Sequence, residues 1–389
     1  MDKAEGQNTQ NASGKKKRRK GCLLAAMIAA GILLAPIIIL FGTFAYQEAM
    51  HKKFGGHGFD YMHGWSTTDF TGYHVYDGDK LATLDHPAEQ MIEGVENMPV
   101  LDGAEACYPL YAAFAKALYQ DIDIIELEAR KAYEETGGKD AVWMQDHWDE
   151  WKAIQDWSNG RVVSFYNTIR AYDRLSNKEV DLVFGAAPSA SQMEEAQREG
   201  ETIVPIPIGR EGFVFFVEED NPIEGLTSEE IRKIYSGEIT NWREFGGKNQ
   251  KITAFQRPQN SGSQVMMESF MGETPLMEPD QYTMIGGMGD IIKRVKQYHH
   301  ERGAMGYTFH YFLTGLQQET GIKMLAVDGV YPSVESIEDG SYPLVVKVVC
   351  AKLASNDKPQ VQELIDFILS EDGQELLKKT GYAPLNCPS

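Results

Sequence analysis

Apolar and polar residues follow two different periodicities along this chain, which predict strands and helices in succession. Beyond residue 99, runs rich in valine, isoleucine and phenylalanine, such as "EVDLVFGAAP", "KITAFQ" and "YPLVVKVVC", predict buried strands. The intervening segments "AEACYPLYAAFAKALYQ" and "KPQVQELIDFILSEDGQELLKKTGY" repeat their apolar residues at helical spacing. Strands that alternate with helices indicate an α/β fold, in which helices cover a sheet.

Local signals add detail to this prediction. The run "IVPIPIGREGFVFFVEEDNP" predicts paired strands, and Thr227 and Glu230 in "LTSEEIRKIY" have the spacing of a capping box. In "NTIRAYDRLSN" either Asn167 or Thr168 is expected to cap the helix. A chain of 389 residues is expected to form two globular lobes rather than one small domain.

An uncharged apolar run from Leu23 to Ala45 follows a row of basic residues that ends at Lys20. The run is long enough to cross a bilayer as one helix. The positive-inside rule then places residues 1–22 in the cytoplasm and the rest of the chain outside the cell, as in a single-pass membrane protein. A cleaved signal peptide is the alternative. We favour an uncleaved signal-anchor over 23–45, because the run exceeds the usual signal-peptide core.

Residues 46–98 are rich in glycine, histidine, aspartate and tyrosine without sustained periodicity, which predicts an extracytoplasmic spacer. Its residues His51, His57 and His63 do not share one helix face, so we predict no metal site there.

The composition excludes some partners. The formal net charge is −20, and the first 20 residues carry about +5, so the remainder carries about −25. An acidic body argues against nucleic acid, although a local cluster of N–H donors can still hold a small anion. The four cysteines lack metal-type spacing, and a disulfide between Cys350 and Cys387 and free thiols both stay open. We predict no cofactor.

The segment "RPQNSGSQ" is the candidate binding motif. It follows the strand "KITAFQ", and Ser261 stands where a helix N-cap is expected, with Gln264 as the other half of a capping box. A helix start offers unpaired N–H groups, Gly262 permits close approach, and Ser261, Ser263 and Arg257 add donors. This chemistry suits a tetrahedral oxyanion such as phosphate. The alternative is a plain helix cap with Arg257 in a surface ion pair.

Six segments, in order along the chain, resemble the phosphate-binding protein of ABC-type phosphate transporters, in its membrane-anchored Gram-positive form. They are "DGAEACYPLYAAFAKALY", "EVDLVFGAAPSASQ", "IYSGEITNWREFGGKNQKITAFQRPQNSGSQVMMESFMG", "AMGYTFHYF", "DGSYPLVVKVV" and "ILSEDGQELLKKTGYAPL". The resemblance implies a type II periplasmic-binding-protein fold over 99–389, with two α/β lobes, two crossing strands as a hinge and a ligand in the cleft. Lobe 1 would span about 99–205 plus 320–389, and lobe 2 about 206–319.

The resemblance also implies which residues bind phosphate. They are the Ala104 to Cys107 turn with Glu105 and Ala106, then Asn167 and Thr168, the strand end near Ala186 and Ala187, and, in the other lobe, Arg257, Ser261, Gly262 and Ser263.

Two positions depart from the family. Glu105 stands where the family commonly has a small hydroxyl residue, and "GAAPS" replaces an aspartate that accepts the proton of monohydrogen phosphate. Glu105 either replaces that aspartate as proton acceptor or points to solvent and complements the helix dipole.

The expected function is that of an extracytoplasmic solute-binding protein. It would bind inorganic phosphate reversibly and deliver it to ABC permease subunits in the membrane. A surface-anchored sensor, or a binding protein for another oxyanion, is the alternative. A phosphatase-like enzyme has less support, because no histidine or lysine suited to activating Ser261 or Ser263 lies near them in sequence.

Overall fold

The computed structural model describes residues 42, 68, 70–136, 160–165, 167–279, 283–297, 303–318 and 320–385. Apart from residue 42, the signal-anchor predicted at 23–45 lies outside these ranges, as do the three histidines of the spacer. Within the described ranges, no helix has both the length and the apolar character needed to cross a membrane. Cys350 is a buried free thiol, and Cys387 lies outside the described residues.

The strands form one large and one small sheet. In the large sheet β1, β2, β9, β3, β6 and β5 lie side by side in that order, and β7 also pairs with β3, while β4 and β8 form the small sheet. The bounds are β1 Leu101–Gly103, β2 Leu182–Gly185, β3 Ile203–Glu218, β4 Gly225–Leu226, β5 Thr253–Ala254, β6 Ala304–Phe309, β7 Ile322–Met324, β8 Ala326–Val327 and β9 Val345–Leu353. Pairing is parallel for β1–β2 and β5–β6, and antiparallel for β2–β9, β3–β9 and β3–β6.

Helices alternate with these strands along the chain, as the sequence pattern predicts. They are α1 Tyr108–Leu118, α2 Ile122–Thr136, α3 Thr168–Ser176, α4 Ala190–Arg198, α5 Ser228–Tyr235, α6 Gly262–Met271, α7 Met288–Gln297, α8 Val334–Glu338, α9 Pro359–Leu369 and α10 Glu371–Thr380. Short 3₁₀ turns form at Glu105–Cys107 and Trp242–Phe245, and a π-helical segment at Phe312–Gln317. The predicted capping box of Thr227 and Glu230 at the start of α5 is confirmed.

β3 is one continuous strand of 16 residues, whereas the sequence pattern predicts two paired strands in this region. Its first part, up to Gly212, pairs with β9, and its second part, from Phe213, pairs with β6. Neither Gly209 nor Gly212 has a positive φ, so no glycine turn folds the strand back on itself. A register shift between Pro207 and Gly209 is absorbed within the strand instead.

The two parts of β3 belong to separate hydrophobic cores. One core contains Phe114, Leu182 and Leu364, and the other contains Phe215 and Ile291. We call the parts of the chain built around them the first lobe and the second lobe. A smaller cluster, which includes buried residues of α3, β2 and β9, also belongs to the first lobe. β9 likewise contributes residues to both large cores, so β3 and β9 are the strands that cross between the lobes.

Two segments pack differently from the boundaries expected from sequence. Residues 70–98 fall in the predicted spacer, yet Phe70 and Ile92 are buried in the first core, and the Phe70 ring meets that of Tyr108 edge to face at 4.9 Å. Their apolar residues have no regular spacing, so periodicity cannot reveal this packing. Residues 322–345 supply Leu325 and Tyr342 to the second core.

Candidate oxyanion site

The segment "RPQNSGSQ" forms a turn between β5 and α6. Beyond β5, the Phe255 N–H donates to the Met305 carbonyl at 2.9 Å, which continues the sheet edge toward the turn. Asn260 has a φ of 66°, in the left-handed region that asparagine tolerates, and Ser261 follows it as the N-cap of α6. The predicted strand, turn and helix are therefore present.

The donors of this turn are buried. Arg257 is 2% exposed, and Ser261 and Ser263 are each 0% exposed. The alternative in which Arg257 forms a surface ion pair is therefore wrong. Burial of a guanidinium is costly unless charged or polar groups surround it, so Arg257 is a structural part of the turn and not a solvated surface charge.

Gln264 does not form the predicted capping box with Ser261. Its side-chain Oε1 instead accepts hydrogen bonds from the Arg257 N–H, at 3.1 Å, and from the hydroxyl of Tyr307 on β6. Burial raises the pKa of Tyr307, which keeps the phenol protonated and able to donate. The Ser261 N–H donates to the Pro258 carbonyl at 3.1 Å, so the backbone N–H of the N-cap residue is satisfied within the turn.

The start of α6 presents several donors. In the part of the chain that the structure describes, the Oγ atoms of Ser261 and Ser263 have no hydrogen-bond partner, and no side chain caps the helix. The first N–H groups of any helix also have no partner within it and carry a partial positive charge. A buried hydroxyl without a partner costs about 1–3 kcal/mol, so a group of such donors indicates an anionic ligand.

The start of α3 lies directly opposite this turn. The Asn167 side chain caps α3 by accepting from the Arg170 N–H at 3.0 Å, which confirms the expected cap. A Cβ built on Gly262 would lie 3.1 Å from Oγ1 of Thr168 and 3.4 Å from Cβ of Ala186. A side chain at this position would crowd Thr168 unless Thr168 shifted by a few tenths of an ångström, so the two lobes meet closely at Gly262.

The end of β2 lies next to Gly262 on the same side as the start of α3. Ala186 is buried, and its carbonyl accepts a hydrogen bond from the Tyr172 hydroxyl at 2.7 Å. Ala187 follows and is half-buried. This strand end therefore provides apolar contact and backbone groups but no carboxylate.

Glu105 lies in the 3₁₀ turn that follows β1. The turn is fixed to β2 by the Ala104 N–H, which donates to the Phe184 carbonyl at 2.7 Å. Glu105 is 3% exposed, so the alternative in which it points to solvent is wrong. Its Oε1 accepts a hydrogen bond from the Thr68 hydroxyl, and Gln317 donates to Thr68 Oγ1 at 2.7 Å. The next residue, Ala106, packs with the second core.

Two further interactions of the turn are not evident from the sequence. Ser189 and Ser191, at the start of α4, both donate hydrogen bonds to Oδ1 of Asn260, at 2.8 Å each. The hydrogen bond between Tyr307 on β6 and Gln264 on α6 also holds this turn in place. A cap-forming "SASQ" and an asparagine in a turn before a helix are weak signals by themselves, and only the folded chain brings them together.

The two lobes, the crossing strands β3 and β9 and the converging helix starts define a type II periplasmic-binding-protein fold. A family model of the PBP superfamily domain matches residues 162–372, which is more than half of the chain. The chain therefore belongs to this superfamily.

Relatives and solved structures agree with this assignment. The chain is 28% identical over 179 residues to the phosphate-binding protein PstS of Bacillus subtilis, covering 45% of this chain and 55% of that protein. It is 25% identical over 178 residues to PstS of Borreliella burgdorferi, covering 44% and 62%. It thus spans less than two thirds of these curated relatives.

A solved structure shares the fold. The putative phosphate ABC transporter substrate-binding protein of Clostridium perfringens, with bound phosphate, superposes with a TM-score of 0.52 at 20% identity, covering 74% of this chain and all of that one.

Proposed function

We propose that this protein binds inorganic phosphate reversibly outside the cell and delivers it to the permease subunits of an ABC transporter. The observation that carries this proposal is the pair of buried hydroxyls of Ser261 and Ser263 at the start of α6, which have no hydrogen-bond partner among the described residues. These donors lie in the same buried turn as Arg257, and Thr168 closes against that turn. The names of the PstS relatives and the phosphate bound in the Clostridium perfringens structure favour phosphate as the anion.

The predicted site residues at the starts of α3 and α6 have separate roles in this proposal, and Ala106 contributes packing to the second core. Ser261, Ser263 and the first N–H groups of α6 donate to the phosphate oxygens, and Arg257 adds charged donors. Gly262 lets the helix start approach the ligand, and Thr168 adds a hydroxyl from the opposite wall. Asn167 holds the start of α3 in place through its cap, so that its N–H groups face the cleft.

The site is suited to binding rather than to catalysis. A nucleophilic serine needs a base within hydrogen-bonding distance, and among the described residues neither Ser261 Oγ nor Ser263 Oγ has any hydrogen-bond partner. Binding and release by lobe closure and opening then require no chemical step. We further propose that residues 23–45 anchor the protein, with the binding domain outside the cell.

A second candidate is a sensor or binding protein for a different oxyanion. Ala186 and Ala187 provide no carboxylate to accept a phosphate proton, and a fully deprotonated anion such as sulfate needs no such acceptor. In the phosphate proposal Glu105 would fill this role, because its carboxylate is buried in the 3₁₀ turn that follows β1.

Calorimetric titration of the full-length protein in detergent, with phosphate, sulfate, arsenate and molybdate, tests the two candidates. The phosphate proposal predicts saturable binding of phosphate and arsenate that exceeds binding of sulfate by at least tenfold. Preference for sulfate or molybdate would favour the second candidate, and no oxyanion binding would refute both.

A further inference from the structure

Asn260 connects the two lobes at the edge of the candidate site. It belongs to the second-lobe turn that leads into α6, whereas Ser189 and Ser191 lie at the start of α4 in the first lobe. Both serine hydroxyls donate to the same oxygen, Asn260 Oδ1, at 2.8 Å. A carboxamide oxygen has two lone pairs, so it can accept both hydrogen bonds at once.

The local structure prepares each partner for this contact. The φ of 66° at Asn260 is tolerated by asparagine, and it directs the turn into the N-cap residue Ser261. Ser189 is the N-cap of α4, and its oxygen accepts the Gln192 N–H at 3.2 Å. A hydroxyl that accepts one hydrogen bond can still donate its own proton, so the cap and the contact with Asn260 are compatible.

The contact must break when the lobes separate. Gly262, two residues after Asn260, is the point at which the second lobe meets Thr168 and Ala186 of the first. Since Ser189 follows Ala186 closely along the chain, any opening of the cleft at Gly262 also moves Asn260 away from α4. The hydrogen bonds of Asn260 therefore exist in the closed arrangement and are lost in the open one.

We propose that Asn260, with Ser189 and Ser191, forms a latch that stabilises lobe closure over the oxyanion site. The latch does not touch the ligand in this proposal, so Asn260 is a positioning residue. The effect of the latch on phosphate release rests on the proposed function, whereas its effect on lobe closure does not. Because the contact requires only protein groups, it also stabilises the closed arrangement of the unliganded protein.

Asn260→Gly is the first test variant, because glycine keeps the left-handed backbone and removes the side chain. Loss of two partly exposed neutral hydrogen bonds is expected to speed release of radiolabelled phosphate from the full-length protein by about three- to tenfold. Ser191→Ala removes one donor at an exposed position and is expected to speed release about two- to threefold. Gln259→Ala, at the exposed neighbouring position, is the control and should leave the rate unchanged.

The double variant separates a latch from independent local effects. If Ser191 acts through Asn260, then Ser191→Ala speeds release in the unmodified protein but adds little in the Asn260→Gly background. Equal effects in both backgrounds, or no effect of Asn260→Gly, would overturn the proposal.

A readout without ligand distinguishes failure of the latch from failure of the phosphate proposal. Hydrogen exchange of the amides at the starts of α3 and α6 reports opening in the unliganded full-length protein. Asn260→Gly should accelerate this exchange about three- to tenfold, and Ser191→Ala should accelerate it in the unmodified background alone. If phosphate does not bind, the same comparison still tests the latch proposal, because an unchanged rate of hydrogen exchange in Asn260→Gly refutes the proposal.

Discussion

Tyr307 and Gln264, 43 residues apart in the sequence, are joined by a hydrogen bond from the phenol hydroxyl to the carboxamide oxygen. The same oxygen accepts the Arg257 N–H, so one side chain fixes both ends of the turn that precedes α6. Gln264 is thereby unavailable as a capping partner. Ser261 and Ser263 remain buried at a helix start that no side chain of the described residues caps.

The two serine hydroxyls are predicted to lower the stability of the unliganded protein. Each is buried without a partner in the described region, so Ser261→Ala or Ser263→Ala removes a polar group that pays a desolvation cost. The free energy of unfolding should stay unchanged or rise by up to about 2 kcal/mol. Urea denaturation without phosphate measures this change.

Ser189→Ala is the matched control for the serine variants. Ser189 is also a buried N-cap serine, but its oxygen accepts the Gln192 N–H, so its removal should destabilise the protein by about 1 kcal/mol. If Ser261→Ala and Ser263→Ala destabilise the unliganded protein as much as Ser189→Ala does, their hydroxyls have protein partners and the site assignment is wrong.

Gly262→Ala is predicted to impair binding without unfolding the protein. The new Cβ would lie 3.1 Å from Thr168 Oγ1, so the closed approach of the lobes becomes strained. Phosphate affinity should fall about tenfold or more, an energy of about 1.4 kcal/mol. Thermal unfolding without phosphate should change little, because the backbone at Gly262 is not in the left-handed region and the lobes can separate. Equal affinities of Gly262→Ala and the unmodified protein would show that closure at this point is not needed.

Much of the fold is predictable from the sequence because it depends on local signals. The caps at Asn167 and Thr227 and the strand before "RPQNSGSQ" need only the residues around them, and the structure contains all three. The division of the long β3 strand between two partners is different. It depends on β9 and β6, which lie about a hundred or more residues further along the chain, so "IVPIPIGREGFVFFVEEDNP" resembles a hairpin when considered alone.

The site was predictable to a similar extent. The turn at Ser261 follows from a strand that enters a helix. The burial of Arg257, which the sequence leaves open against a surface ion pair, and the partner of Gln264 do not follow from it. A capping box and a bond to Tyr307 are both compatible with the local sequence, and tertiary packing selects the second. The contact of Asn260 with Ser189 likewise requires two lobes to meet.

Arg257→Lys tests whether the site uses a forked pair of charged donors. Lysine keeps the positive charge but loses the planar geometry, so phosphate affinity should fall by about 1.5 kcal/mol or more. Arg243→Lys, at an exposed position, is the matched control and should bind as the unmodified protein does. Calorimetry on both variants measures the difference, and an unchanged affinity in Arg257→Lys would argue that Arg257 only supports the turn.

Glu105→Gln tests the proton acceptor in the phosphate proposal. The amide keeps the size of the buried side chain but removes its negative charge and adds an N–H₂ donor, so a proton on the ligand loses its charged acceptor. The ratio of phosphate affinity to sulfate affinity should fall by about tenfold or more. Thr68→Ala, which removes the hydroxyl that donates to Glu105, is a comparison that leaves the carboxylate in place. A preference that survives in Glu105→Gln would exclude the acceptor role.

The buried carboxyl group of Glu211 is expected to make the free energy of unfolding depend on pH. It lies on β3 and is 3% exposed, and its Oε1 accepts the Gly212 N–H at 2.8 Å, whereas Oε2 has no partner among the described residues. Burial raises the pKa of Glu211 from 4.5 to about 8. Between these values the folded protein binds more protons than the unfolded chain, so this group makes stability fall as pH rises through that window.

Glu211→Gln should remove this contribution. In the unmodified protein the free energy of unfolding should fall between pH 4.5 and pH 8. In Glu211→Gln this fall should be smaller, by an amount on the order of a few kcal/mol, as measured by denaturation across the pH range. The groups that face Glu211 are the thiol of Cys107 and the phenols of Tyr311 and Tyr382, and burial raises the pKa of each of them. They stay neutral in this window, so a slope unchanged in Glu211→Gln would mean that the carboxyl is ionised in the folded protein.

The most direct test of the central claim compares phosphate binding by the unmodified full-length protein with binding by the Ser261→Ala, Ser263→Ala double variant, in parallel calorimetric titrations. If the start of α6 is the oxyanion site, the double variant should lose about 2–4 kcal/mol of binding free energy, since two hydrogen bonds to a charged ligand are removed. Equal affinity in the two proteins would contradict the assignment.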